Sequence, residues 1–404
     1  MITDLCDNIK KILHQKLFHP RLQGEALEGA IDKFSSLCAV GPSLEGDEVS
    51  CVNGALSALE VSNVSFWKLP SRPLEGQWAI NATLSLFLDG QNERWVFEDV
   101  LPGGLADRAG IKPGECLIAL DGKETVREPR FQLGKSYLFT ILGRDGCGER
   151  QTAITLAETG PKNRPPMIQA PAIAVSEPRS GVGVVRISSF PGIIGFDFAR
   201  ELMGIARQFE RQRRGRMIVD LRANCGGGLG SLRVMSLFTP AKLPVGYSLS
   251  RAARDSNTRP DQLPAIERIP DTKLGLYMMA GRFTINRGRS IRLVTEGLGK
   301  LPFQGNISVL TNRFTRSGAE MVAAFGQKNG LAKIVGTATP GETLGAANFV
   351  VKDSYRLRIP LVGWYTSDDE LLEGKGVAPD QVVSPTLGGL REGRDEVLEA
   401  ALQG

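Results

Sequence analysis

Ile2, Leu5, Ile9, Ile12, Leu13 and Leu17 recur at three- and four-residue steps, and Leu27, Ala30, Ile31, Phe34 and Leu37 repeat the pattern beyond Pro20. That spacing puts the apolar side chains on one face of each of two helices, so residues 1–75 read as a small helical domain. After a Pro-containing link, KLPSRPLEG, the period drops to two. Runs such as ATLSLFL and WVFEDV alternate as strands do, and residues 76–160 read as a β domain. PKNRPPMIQAP, 161–171, has linker chemistry. Beyond it the strand-like runs VGVVRI, MIVDL, ISVL and AKIVG alternate with the helical runs FDFARELMGIARQFERQ, SLRVMSLF and SGAEMVAAFGQ. Such alternation predicts an α/β domain with a mostly parallel sheet over 161–404. The stretch from about 240 to 300, rich in Arg, Pro and Gly, keeps neither period and reads as an excursion over the core.

Composition narrows the function classes. The chain has 404 residues, 42% of them hydrophobic, which is enough for two or three cores and excludes disorder as the dominant state. With 49 Lys and Arg against 44 Asp and Glu, the net charge of +5 argues for neither nucleic acid nor an acidic membrane surface. Arg207, Arg211, Arg213, Arg214 and Arg216 read as a solvated helix end that complements the helix dipole. The six cysteines, at 6, 38, 51, 116, 147 and 225, lack the short paired spacing of a zinc site or disulfide framework, so a reduced compartment is the simplest reading. Asp4 and Asp7 interrupt the N-terminal apolar stretch and no run of 18 apolar residues follows, so the expected location is the cytoplasm. Only two histidines occur, His14 and His19, both at expected surface positions.

VFEDVLPGGLADRAGIKPGECLIALDGKE, 96–124, runs from a strand through a Pro-Gly-Gly turn into a short small-residue helix. A Gly110 to Gly114 turn and a second strand follow. This resembles the PDZ domain, with Glu115 where Asp is usual and Ile118 and Leu120 in the strand. The resemblance implies binding of an extended peptide, or of a C-terminal carboxylate, at a sheet edge.

MIVDLRANCGGGLGSLRVMSLF, 217–238, is a buried strand, a Gly226-Gly227-Gly228 turn and a helix. A dinucleotide cradle would need a glycine at 231, where Ser231 stands, and no Gly-Lys-Ser/Thr follows. Bare backbone N–H groups at such a turn can instead bind an oxyanion. The D-L-R-x-N-x-G-G pattern resembles the signature of the tail-specific, or C-terminal processing, serine proteases and their tricorn-type relatives. That resemblance implies a crotonase-like α/β core, an oxyanion hole from Gly226 or Gly227, and structural roles for Asp220 and Arg222. Cys225 reads as a buried inert thiol.

Ser317 opens the helix after the ISVL strand, and Thr315, Ser317 and Glu320 resemble the family's T-x-S-x-x-E element. The resemblance makes Ser317 the nucleophile and the Gly318 N–H the second oxyanion donor. Where many relatives carry a catalytic Lys in G-x-x-T-x-G-K, residues 336–342 end in Glu342, which excludes a Ser-Lys dyad there. The tricorn-type branch uses Ser, His, a second Ser and Glu. ALSALEVSNVSFW, 55–67, resembles its Ser-His element and supplies Ser62 followed by Asn63. An Asn amide cannot accept a proton at neutral pH, so Asn63 is no general base. GVGVVRISSFPG, 181–192, and EGKGVAPDQVV, 373–383, resemble the opening and closing elements of the same core.

The resemblance thus implies hydrolysis of peptide bonds in protein or peptide substrates, with no metal, cofactor, nucleic acid or membrane partner, and leaves self-association open. The absent histidine sets a second expectation beside it, a catalytically inactive peptide-binding protein derived from such a protease.

Overall fold

The computed structural model describes residues 2–39, 48–69, 72–158, 170–191, 196–270, 272, 274–275, 278, 290–300 and 302–404. Most of the expected linker (161–169), residues 70–71 of the Pro-containing link, Gly192 of the opening element and much of 271–289 lie outside the described residues. The chain divides into two compact units, one of residues 1–70, 241–297 and 341–376, the other of 71–240, 298–340 and 377–404.

In the first unit the predicted periodicity gives α1 (Ile2–Lys16) and α2 (Gly24–Ala39), and α3 (Glu48–Ser57) follows. Leu5, Ile9 and Leu13 of α1 bury their stripe against Leu27, Ile31 and Phe34 of α2, in a cluster that also takes in Phe66, Leu357 and Ile359. The helices therefore share their core with strands from distant parts of the chain. Those strands order as Ser65–Lys68, Tyr355–Thr366, Pro244–Ser250, Arg292–Val294 and Ala265–Ile266, and Gly345–Lys352 pairs antiparallel with Tyr355–Thr366. The 240–300 stretch is thus partly sheet. Residues 245–249 are buried throughout, in a run too short to stand out beside its Arg- and Pro-rich neighbours.

Two expectations for this unit are corrected. Cys6 and Cys38 form a disulfide with Cα atoms 6.2 Å apart. They are 32 residues apart in sequence, and meet because the chain reverses between α1 and α2, a proximity that cysteine spacing alone does not reveal. His19 is only 4% exposed. Its Nδ1 accepts the N–H groups of Arg21 (3.1 Å) and Leu22 (2.9 Å), and its Nε2 donates to the Leu59 carbonyl (3.0 Å). That arrangement needs the neutral ring, and burial accordingly pushes its pKa below the usual histidine value. His14 is half-buried and pairs with Glu28.

The second unit holds the predicted parallel sheet, in the order Gln381–Val382, Lys333–Gly336, Asn306–Thr311, Arg216–Asp220, Val182–Ile187 and Ile173–Arg179. Every pairing is parallel except that of the last two strands. Val184, Ile218, Leu310 and Val335 pack on Val397 and Ala401 of the C-terminal helix Glu396–Gln403, while their neighbours Val185, Val219, Val309 and Ile334 are buried too. A sheet covered on both faces needs the near-continuous apolar runs that marked these strands in the sequence. The β domain is an antiparallel sheet of Ala82–Asp89, Asn92–Val100, Cys116–Leu120, Ser136–Leu142 and Glu149–Thr155, with the short helix Leu105–Arg108, around Phe97, Phe131 and Phe139. Of the arginine cluster, 207, 211 and 213 are exposed as expected. Arg214 is not. It is buried, lies 4.9 Å from the Phe209 ring and pairs with Glu177. Among the described residues no helix is long and apolar enough to cross a membrane.

Opening the Cys6–Cys38 disulfide by Cys38→Ser is expected to cost about 3–4 kcal/mol, the chain-entropy value for a loop of this size, measured by urea unfolding. His19 binds its proton more weakly folded than unfolded, so the stability it contributes is present above about pH 6.5 and is lost as pH falls through the depressed folded value. Urea midpoints measured at falling pH will drop in the parent, and the drop will shrink in His19→Asn.

Candidate active site

The strand Asn306–Thr311 ends in a loop stitched to the loop after Arg216–Asp220. Asn312 Oδ1 accepts the N–H groups of Ala223 (3.2 Å) and Phe314 (3.0 Å), the Thr315 hydroxyl donates to the Leu221 carbonyl (2.9 Å), and Arg316 N–H donates to the Asn224 carbonyl (2.8 Å). The Arg316 guanidinium reaches Glu75 (2.7 Å), whose other oxygen takes Arg130 (2.9 Å). Burial alone would raise the Glu75 pKa, but the two arginines hold it below the usual value. Ser317 follows with φ 56° and ψ −122°. An N-cap serine takes extended backbone angles, and this conformation costs a non-glycine residue about 1–3 kcal/mol. The fully buried Glu320 carboxylate holds it, accepting the Ser317 N–H (3.0 Å) and the Thr339 hydroxyl (2.7 Å), while Thr339 Oγ1 accepts the Val377 N–H (2.8 Å).

Gly226 lies against this turn. At φ 79°, a Cβ there would stand 2.6 Å from the Ser317 Cβ. Gly227, at φ 137°, would drive a Cβ to 2.2 Å from the Phe190 carbonyl oxygen. The Gly226 N–H is committed to Asn224 Oδ1 (2.7 Å) and the Gly228 N–H to the Phe190 carbonyl (3.0 Å). Among the described residues neither the Gly227 nor the Gly318 N–H donates to a protein acceptor. Beneath the turn, Arg222 forks onto Asp220 (2.9 and 2.8 Å) and Asp395 (2.7 and 2.7 Å). Burial opposes the Asp220 charge, and Arg222 with Arg186 outweighs it, keeping the carboxyl below its usual pKa.

Ser62, Asn63 and the Glu342 segment belong to the first unit. Glu373 gathers them: one carboxylate oxygen accepts the Ser62 N–H (3.2 Å) and the other the Thr343 N–H (2.9 Å). Sequence reading used Glu373 only as part of a closing motif and missed this role. An acid beside the glycines at 374 and 376 was the available signal. Asn63, at φ 60°, donates through Nδ2 to the Leu344 carbonyl (3.2 Å) and to Ser62 Oγ (3.3 Å), and Arg358 approaches its Oδ1 at 3.5 Å. With both ring nitrogens committed to backbone groups, His19 is not a spare base. The structure thus places Ser317, Gly226, Gly227 and Gly318 together in one unit, and Ser62, Asn63 and Glu342 together in the other.

A strained serine at a strand-to-helix turn, set against glycines whose amides no described residue engages, is an arrangement in which a serine hydroxyl can act as a nucleophile. The model of Peptidase family S41 matches residues 181–383, half of the chain, and the protein belongs to that family. It is similar to a "Probable CtpA-like serine protease" of Staphylococcus aureus (strain N315), 20% identical over 72% of this chain and 51% of the relative. A "Carboxyl-terminal-processing protease" of Picosynechococcus sp. is 23% identical over 70% of this chain and 59% of its own. The chain therefore spans between half and three fifths of the length of these relatives. Among solved structures, the photosystem II D1 C-terminal processing protease superposes with a TM-score of 0.55, at 14% identity, over 96% of each chain. A putative S41 protease of Bacteroides fragilis does so with 0.56, at 16% identity, over 98% of this chain and 96% of that one. At these identities the superpositions speak to the fold.

Gly226→Ala is expected to destabilise the second unit by about 2–4 kcal/mol, combining a positive-φ penalty with a backbone collision. Gly90→Ala, at φ 64° with nothing within 4 Å of the added Cβ, should cost only about 1–2 kcal/mol. Urea unfolding of the two variants measures the difference.

Proposed function

We propose that this chain is a serine peptidase of the tail-specific, tricorn-like kind, with a crotonase-like core and a PDZ-like β domain, acting on peptide or protein substrates. The observation that carries the reading is the backbone of Ser317, strained at φ 56° and flanked by the amides of Gly227 and Gly318, which no described residue engages. Ser317 Oγ attacks the scissile carbonyl carbon, and the new oxyanion takes the Gly227 and Gly318 N–H groups. Gly226 serves by shape, because its amide already belongs to Asn224. The hydroxyl proton must pass to a base and then to the leaving amine. The family resemblance assigns that transfer to position 63, oriented by Ser62 and Glu342, and an Asn side chain cannot perform it. Activity in this chain is accordingly impaired.

The second reading, a catalytically inactive protein that holds extended chains through the PDZ-like domain and the emptied site, is favoured by that same Asn63. The Cys6–Cys38 disulfide points to an oxidising compartment rather than the cytoplasm first expected.

Position 63 has a left-handed backbone, which Asn and His both tolerate. Asn63→His is therefore expected to raise peptide hydrolysis by about a hundredfold or more, the value of a general base, and to raise fluorophosphonate labelling of Ser317. Both gains vanish with Ser317→Ala. Labelling and hydrolysis absent from parent and Asn63→His alike would leave the binding protein as the function.

A further inference from the structure

A sheet must deal with the outward backbone groups of its edge strands. In the parallel sheet one edge is the two-residue Gln381–Val382, and the other carries Glu177 and Pro178. At the edge of the β domain the Leu84 carbonyl takes the Arg313 guanidinium (2.9 Å). Gly345–Lys352 differs. It is eight residues long, has no proline and no charge before Lys352, and among the described residues pairs only with Tyr355–Thr366.

Register tells which of its backbone groups face outward. Ala346 sits opposite Pro360, which has no N–H and whose carbonyl is taken from elsewhere by the Phe18 N–H (3.0 Å). Antiparallel ladders alternate bonded and non-bonded pairs, so the pairs Ala347 with Ile359 and Phe349 with Leu357 exchange the ladder bonds. Ala346, Asn348 and Val350 then turn their N–H and C=O groups away from the sheet. One face of the strand packs Ala347, Phe349 and Val351 on the helical core, while on the other Val350 is 63% exposed. Register shifts at either end confine the regular stretch to Ala346–Val350, roughly 17 Å of strand. It begins just beyond Glu342 and Leu344, the residue whose carbonyl holds Asn63.

We propose that the edge of Gly345–Lys352 left unpaired among the described residues is a docking strand for an extended, uncharged polypeptide segment. The segment pairs its own backbone with Ala346, Asn348 and Val350. Recognition is mainly through main-chain groups, so side-chain selectivity is low, with a preference for small or apolar residues beside Ala346 and Val350. The inference rests on the reading of the chain as a protein that takes polypeptides, and holds for the peptidase and for the binding protein alike.

The test uses the full chain carrying Ser317→Ala, so that turnover cannot intrude. Fluorescence anisotropy of a short fluorescein-labelled peptide of alternating Val and Ser reports affinity. Val350→Pro deletes one outward N–H and is expected to weaken binding about five- to tenfold, whereas Val350→Ala keeps the N–H and changes it by less than about twofold. N-methylation of alternate peptide nitrogens should abolish binding in one register and spare it in the other. That pattern, read on the Ser317→Ala parent, decides the matter even if Val350→Pro fails to fold. The proposal is overturned by a folded Val350→Pro that binds as tightly as the parent, by indifference to both methylation patterns, or by a peptide that does not bind. Self-association of the chain lost in Val350→Pro, without peptide binding, would likewise assign the edge to a second copy. Failure of the peptidase reading is scored separately, by Ser317 labelling.

Discussion

Ser317 holds a backbone conformation that serine adopts only under compulsion, and much of the second unit supplies it. The compulsion comes from three directions. Glu320 fixes the N–H, Gly226 fills the space against the side chain, and Asn224 ties the preceding residue through its carbonyl. Asn224 acts twice, since its Oδ1 also holds the Gly226 N–H while its Nδ2 donates to the Ile187 carbonyl (2.9 Å). One buried asparagine thus joins the Gly-rich turn, the Ser317 loop and the strand beside them. The Asp220–Arg222–Asp395 fork lies beneath, an ion group whose burial is tolerable because all its members are mutually satisfied.

The first unit solves a similar problem with a single carboxylate. Glu373 binds one amide from each of two segments that are 281 positions apart, as the Asn63–Leu344 bond measures, and so gathers Ser62 and the Glu342 segment. A chain that returns this way after long excursions needs a rigid frame. The disulfide between α1 and α2 and the neutral, fully bonded His19 contribute to that frame. His19, expected at the surface, is instead a structural tie between the segment after α1 and Leu59.

Much of the fold was legible because its signals are local. Apolar runs with few charges gave the strands Val182–Ile187, Arg216–Asp220 and Asn306–Thr311, and 3.6-residue stripes gave α1, α2 and Phe196–Arg211. The strand Pro244–Ser250 was missed because seven residues beginning at a proline look irregular until Tyr355–Thr366, over a hundred residues later, lies beside them. Arg214 looked solvated because nothing nearby in sequence announces Phe209 and Glu177 as its cover.

By itself the sequence determined the kinds of chemistry available. It contains a serine at a strand-to-helix turn, a Gly-rich turn, an acid at 342 and an amide at 63, where the resemblance implies a base. Those follow from residue identity, and no folding changes what an Asn side chain can accept. Tertiary structure alone decided which groups are already spent. It committed the Gly226 amide to Asn224, both nitrogens of His19 to backbone, and Cys6 to Cys38, and it left the amides of Gly227 and Gly318 unengaged among the described residues. The reason is that a hydrogen bond or disulfide depends on partners brought within about 3 to 6 Å by the whole fold, and spacing along a chain carries no such distance.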